Sequence, residues 1–263
     1  MENIADIDNF RRFKDVAIGQ TEHEVRVDLA ACYRLIALYG MTDLAANHVT
    51  ARVPGTTDQF FINPYGMLYD EITASSLIKI DLHGNILQQG SNPNYGVNVA
   101  GYVIHSAIHA ARHDVQCIIH THTRSGVAVA CMNEGLLPIH QNAMLVSDNI
   151  ATHDYEGPIT SDGERVRLVH DLGQKQCLLL HNHGLLTCGR SIAEAFVLMY
   201  RLDTACKIQV DLMRSGAQLK WPSRESQQAM SQLMQNVSGV THGNLEWPSL
   251  KRRLDRLLPG YDE

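Results

Sequence analysis

Apolar residues recur along the chain with two different periods, and the changes of period mark its elements. From Val25 they return at Leu29, Cys32, Tyr33, Leu35 and Ile36, a stripe on one face of a helix. Thr21-Glu22-His23-Glu24 fits a capping box, in which hydroxyl and carboxylate satisfy two orphan helix donors, and Gly40 ends the helix. The pattern then turns extended over 48–53 and 60–63, with Pro54-Gly55 as the turn between them. Residues 77–82 and 85–87 predict another hairpin, turning at His83-Gly84. Residues 101–112 read as a helix. Residues 115–122 form a continuous apolar run of the kind buried on both faces of a sheet, and a helix follows over 125–133. Short strands are expected within 136–160, and a helix over 164–172 that Gly173 closes. Residues 177–180 make a second buried strand, and 185–188 continue extended. Ser191-Ile192-Ala193-Glu194 matches a second capping box, which opens the longest helix, running to about Ser215 and stopping at Gly216.

Strands and helices interleave without a break in composition. The expected organisation is one α/β domain over 21–216, a polar N-terminal arm over 1–20, and a Gln-, Ser- and Arg-rich C-terminal extension over 217–263 that lies outside the core. The 263 residues carry 22 Lys+Arg against 28 Asp+Glu, a formal net charge of −6. A mildly acidic chain whose most basic cluster, Lys251-Arg252-Arg253, is short and lies among acids lacks the clustered positive charge that captures nucleic acid or anionic membrane. No apolar stretch approaches the roughly 20 residues that span a bilayer, and the charged start, 1–14, does not read as a secretory signal. The six cysteines include no CxxC pair and mostly sit in apolar runs, which predicts reduced, buried thiols in a cytoplasmic protein. No GxGxxG follows a strand and no GxxxxGK[ST] occurs, so nucleotide binding has no motif.

The unusual count is 14 histidines. His120 and His122 stand two apart at the end of a buried strand, where alternation puts both imidazoles on one face. Such a pair can clamp a divalent ion, or can be two hydrogen-bonded residues at a strand end. His183 also follows a buried strand and precedes Gly184, which allows close backbone approach. Three histidines from two strand ends would hold a metal and leave coordination positions open, as catalytic sites do. His181, two residues earlier, competes with His183, and spacing does not choose between them. His105 and His109 share a helical face, as a metal pair or as one polar edge; His105 is the candidate for supporting the ligands from behind. His153-Asp154-Tyr155 brings a base, an acid and a phenol together in a loop. His23, His83, His113, His170 and His242 read as solvated surface residues.

Ordered blocks along the chain resemble the class II aldolase/adducin family: Asn47-His48-Val49-Thr50-Ala51-Arg52, Phe61-Ile62-Asn63-Pro64-Tyr65-Gly66, His105 with Ala111-Arg112-His113-Asp114-Val115, His120-Thr121-His122 and Asn182-His183-Gly184. The resemblance runs from Val25 to Gly216. It implies a three-layer α/β/α sandwich around a mixed, largely antiparallel sheet. It also implies a divalent metal, usually zinc, with iron, manganese or cobalt as alternatives, held by His120, His122 and His183, which decides against His181. Asn47, Asn63 and Gly66 are the substrate-binding positions it suggests, and many members are tetramers with the active site between subunits. The sugar-phosphate aldolases of the family carry an acidic acid/base four positions before the helix histidine; here that position is Gly101, where no carboxylate is possible. Their phosphate cradle is altered too, since the paired serines before that acid fall near Val99-Ala100. Tyr69-Asp70-Glu71-Ile72-Thr73 and His153-Asp154-Tyr155-Glu156-Gly157 look like the adducin head domain.

The resemblance therefore implies a metal-dependent lyase, cleaving or decarboxylating a small, non-phosphorylated, oxygenated substrate. His48, His140 and Tyr155 are the candidate proton-transfer groups in place of the missing acid, imidazole being suited by its near-neutral pKa. Two other readings use the same site: a mononuclear Fe(II) oxygenase, and a non-catalytic adducin-like scaffold that keeps the fold.

Overall fold

A computed structural model describes residues 20–157, 162–236 and 243–263. The polar arm, apart from Gln20, lies outside the described residues, as does His242. The elements are α1 (Glu22–Leu38), β1 (His48–Arg52), β2 (Gln59–Ile62), β3 (Ile78–Asp81), β4 (Ile86–Gln88), α2 (Val99–Ala111), β5 (Cys117–Thr121), α3 (Arg124–Ala130), α4 (Gln141–Met144), β6 (Ile150–His153), α5 (Asp162–Leu172), β7 (Cys177–Leu180), β8 (Gly184–Gly189), α6 (Ile192–Ser215), α7 (Arg224–Asn236) and α8 (Trp247–Leu257). The strands form one eight-stranded sheet in the order β4-β3-β2-β1-β5-β8-β7-β6. Every described pairing is antiparallel except β6 with β7.

Period-two alternation splits the strand side chains between two helical layers. Val49, Ala51, Cys117, Ile119, Cys177, Leu179 and Leu185 pack under α1, α3 and α6. Ile118, Leu178, Leu180 and Leu186 pack against Ile104 and Ile108 of α2 and Leu168 and Leu172 of α5. The result is the three-layer α/β/α sandwich that the resemblance implies. Its core is dominated by Leu29, Tyr33, Leu35, Phe61, Phe196 and their neighbours, all essentially removed from water. Each such large side chain contributes about 1.5–3 kcal/mol by burial.

Helix ends follow local chemistry. Thr21 and Glu24 form the reciprocal capping box at α1. At α6, Ser191 accepts from Glu194 N–H, but the Glu194 carboxylate accepts from Arg190 N–H and the Arg190 guanidinium instead of closing the box on Ser191. That residue pairs with its neighbouring cation because the pair lies at the rim of a buried helix start.

Three further expectations need correction. Among the described residues, 136–157 hold one strand, β6, preceded by the short α4, because the apolar residues Ala143 and Val146 follow a helical spacing. Residues 217–263 do not all lie outside the core: Trp247, Leu254 and Tyr261 are buried against the α1 layer. Trp247 Nε1 donates to Asp28 at 3.0 Å, and Arg34 donates to the carbonyls of Leu258, Pro259 and Gly260, so the last residues are strapped down. Five of the six cysteines are buried, but Cys131, at the end of α3, is exposed.

Candidate functional site

The sheet brings the histidines to one end. Strands β5, β6 and β7 run in the same direction, since β8 is antiparallel to both β5 and β7. Their carboxyl ends carry His120, His153 and the turn after Leu180, and β1, antiparallel to β5, starts there with His48. His48 is the register partner of His120.

His120 and His122 do project together. His120 Nε2 lies 2.8 Å from His122 Nε2, which lies 3.0 Å from His183 Nε2. His183 gets there through a tight β7–β8 turn, with Asn182 in the left-handed region at φ 57°. Gly184 opens β8 so close to β5 that a methyl in its place would sit 2.5 Å from the Thr121 carbonyl oxygen. His181 points away, its Nδ1 donating to the Ala130 carbonyl at 3.0 Å. Among the described residues these three histidines are the one group of metal-competent side chains whose donor atoms converge, all within 4.8 Å.

The donor set fits a divalent cation. His120 Nδ1–H donates to the Leu185 carbonyl at 2.9 Å, and His122 Nδ1–H donates to the Asp43 carboxylate at 3.0 Å. Both Nε2 atoms are therefore bare and face each other across 2.8 Å. Two lone pairs repel at that separation unless a cation lies against them. Burial pushes the His120 pKa well down, and burial followed by the nearby His122 lowers that of His183 to about 4. Both rings are neutral at pH 7, the form that binds metal. The Leu185 and Asp43 contacts are the backing that orients metal-binding histidines.

His48 is buried beside this group, its ring 5.2 Å from that of His120 and 4.6 Å from that of His105. Neither His48 ring nitrogen has a hydrogen-bond partner, and burial, with His105 second, holds its pKa well below the ordinary range. A methyl at Gly101 would lie 2.8 Å from His48 Nδ1. His48 thus fills the space that a side chain at 101 would need. His105 does stand behind His48 and His120, its Nδ1 2.7 Å from Thr50 Oγ1.

The remaining candidates are spread more widely. Asn47 lies beside the three histidines, its Oδ1 accepting from His122 N–H at 3.3 Å. Asn63 is buried and its Oδ1 accepts from Tyr33 Oη at 2.9 Å, which ties it to α1. Gly66 packs against the Tyr95 ring. Tyr155 is 57% exposed with its ring 6.4 Å from that of His183, at the open side of the site. His140 heads α4 next to Ala205 of α6 and touches none of the three histidines. His153 Nδ1–H donates to Asp171 at 2.8 Å, while its buried Nε2 has no partner and lines a small cleft with Tyr155 and His183. His23, His83, His113 and His170 are exposed, as expected.

Sequence reasoning missed Asp43, Thr50, Arg52 and the Leu185 carbonyl. Thr50 and Arg52 could have been found, because they alternate with His48 on the same face of β1. Asp43 lies in an irregular loop whose path no periodicity predicts.

Comparison with known proteins agrees with this geometry. The profile of the Class II Aldolase and Adducin N-terminal domain matches residues 27–210. A Pseudomonas aeruginosa protein assigned to aldolase class 2 is 46% identical over 248 residues, 93% of this chain and 94% of that one. Mouse alpha-adducin is 43% identical over 214 residues, 81% of this chain but 29% of adducin. The structure of L-fuculose 1-phosphate aldolase from Glaciozyma antarctica superposes with a TM-score of 0.81 at 25% identity, covering 95% of this chain and 96% of that one. The family profile and these relatives cover most of the chain, which belongs to the class II aldolase and adducin family.

Proposed function

We propose that the protein is a metal-dependent lyase that performs aldol cleavage or decarboxylation on a small, non-phosphorylated, oxygenated substrate. One observation carries the reading: three imidazoles turn their Nε2 atoms to one point, directly beside an unpartnered buried histidine. A divalent ion, zinc by preference for neutral nitrogen donors, would be held by His120, His122 and His183 and act as a Lewis acid toward negative charge developing on a substrate oxygen. His48 occupies the space of the missing side chain at 101 and moves the proton. Its neutral imidazole gives a proton at one ring nitrogen and takes one at the other. Tyr155 stands at the open side as a second proton-transfer group, with His140 as a third candidate from its place on α4. Asn47 aligns the His122 backbone, and Asn63 and Gly66, which follow β2, are the further candidate substrate-binding positions.

Membership of the family supports a homo-oligomer, a tetramer with sites between subunits, and leaves the exposed Tyr155 at the open side of the site for a neighbouring subunit to cover. Five buried, unpaired cysteines support a reducing, cytoplasmic setting. No described helix is long and apolar enough to cross a membrane.

The test combines elemental analysis of untagged protein with α-proton exchange of hydroxyacetone in D₂O, followed by proton NMR. The expected result is one metal per chain, lost in His183→Ala, and exchange that requires the metal. Full metal occupancy in His183→Ala, or metal-loaded protein inert toward hydroxyacetone, argues against the reading.

A further inference from the structure

Behind His48 runs a buried hydrogen-bond chain whose direction is fixed by its outer end. That end is the Arg52 guanidinium, which can only donate. Arg52 Nη2 donates to His109 Nδ1 at 3.3 Å. His109 therefore carries its proton on Nε2, which donates to Thr50 Oγ1 at 2.9 Å. The Thr50 hydroxyl keeps its own hydrogen for His105 Nδ1, 2.7 Å away. His105 Nδ1 accepts, so the His105 proton sits on Nε2. That nitrogen is fully buried and has no partner. It belongs to the ring packed on His48, whose two nitrogens are equally unpartnered. A free imidazole exchanges its proton between two nitrogens; in this chain each choice is imposed by the neighbour before it. Phe60, stacked on His109 with ring centroids 5.1 Å apart, keeps water from the middle of the chain.

We propose that Arg52, His109 and Thr50 are positioning residues: they lock His105 as the Nε2–H tautomer and so fix the direction of the N–H dipole in the ring packed on His48 at the three-histidine site. This role rests on the reading of His48 as the proton-transfer group. A buried N–H at that place favours the His48 tautomer whose lone pair faces it. The His48 proton is then directed to the other ring nitrogen, and His48 meets the substrate in one protonation pattern instead of two.

Histidine ¹⁵N NMR of the zinc-loaded protein at neutral pH tests the chain nitrogen by nitrogen. His105 and His109 are expected to be protonated at Nε2 and bare at Nδ1. Arg52 also donates to the carbonyls of Val115, Thr57, His109 and Arg112, so its removal would disturb the fold. The informative variant is Thr50→Val, with Thr50→Ala, which leaves room for a water, as the substitute where Thr50→Val does not fold. Either is expected to retain zinc, to mix the two His105 tautomers, and to lower kcat for hydroxyacetone exchange about 10- to 100-fold with little change in KM. Thr50→Ser is expected to restore both the single tautomer and the rate. A His105 proton on Nδ1 in the wild type overturns the proposal, and so does a Thr50→Val protein that exchanges hydroxyacetone at the wild-type rate. If the zinc-loaded wild type exchanges nothing, the lyase reading fails, while the His105 tautomer still decides for or against the chain.

Discussion

At the scale of single residues, the site is an arrangement of imidazoles whose neighbours choose their states. His120 and His122 are turned by the Leu185 carbonyl and the Asp43 carboxylate, and each gives up an Nδ1–H to keep Nε2 bare. Asp43→Ala is expected to weaken zinc binding about 10- to 100-fold, because His122 loses the partner that orients it. Competition with a chromogenic chelator measures this, and an unchanged affinity would show that Asp43 is a surface contact only. His48 and Gly101 form a second interdependent pair. With a methyl at 101 only 2.8 Å from His48 Nδ1, Gly101→Ala forces the ring to move. The expected cost is about 1–3 kcal/mol. The same substitution in a His48→Ala background should cost much less, which a double-mutant cycle in urea reads directly.

At the scale of elements, the strand ends do the gathering. β5 and β7 deliver His120 and His183 to the same edge only because β8 returns between them, tight against β5. Gly184 sets that approach. Gly184→Val would drive a side chain into the Thr121 backbone, which cannot yield as a flexible side chain would. The expected outcome is loss of zinc stoichiometry together with a lower Tm. A Gly184→Val protein that binds zinc normally would show that the β5–β8 spacing is not what places His183. Helix α2 acts differently, bringing His105 and His109 from the opposite layer onto Thr50 of β1.

At the scale of the whole molecule, the α2 histidines make stability depend on pH. Burial, with Arg52 second, lowers the His109 pKa to about 3 from 6.5. A histidine whose folded pKa is depressed contributes stability that is complete above its unfolded pKa. That contribution is lost as pH falls from about 6.5 toward 3, because the unfolded chain takes up the proton and the folded one does not. Buried His105 is shifted in the same direction and adds to the slope. Metal-free protein is therefore expected to lose urea stability steadily below pH 6.5, and His109→Gln to flatten part of that slope; a pH-independent midpoint between 7 and 5 would contradict it. The C-terminal segment also belongs to the global fold. Trp247 is buried and its indole N–H is bonded to Asp28, so Trp247→Ala is expected to cost about 3–5 kcal/mol. Chemical denaturation followed by circular dichroism measures that loss, and a midpoint like that of the wild type would mean that α8 contributes nothing to the core.

Much of this is legible in the amino-acid sequence alone. Hydrophobic period placed α1, α2, β5, β7 and α6 within a few residues, because period reports which face is buried. The His-x-His spacing put two ligands on one face, since alternation in a strand is obligatory. Local rules could not choose between His181 and His183, which share parity and differ only in which way a tight turn throws them. Nor could they reveal that α8 docks on α1, because its few apolar residues, Trp247 and Leu254, are separated from their partners by most of the sequence. The sequence by itself determined most of the elements and the residue types able to hold a metal, and through its resemblance to a family it implied the three-layer class. The tertiary structure alone decided that three imidazole nitrogens meet at one point, that His48 fills the space beside Gly101, and that Arg52 reaches His105 through two intermediaries. The physical reason is that proton placement and close approach depend on atoms distant in the chain, and these become neighbours only once the sheet has closed and the helices have packed on it.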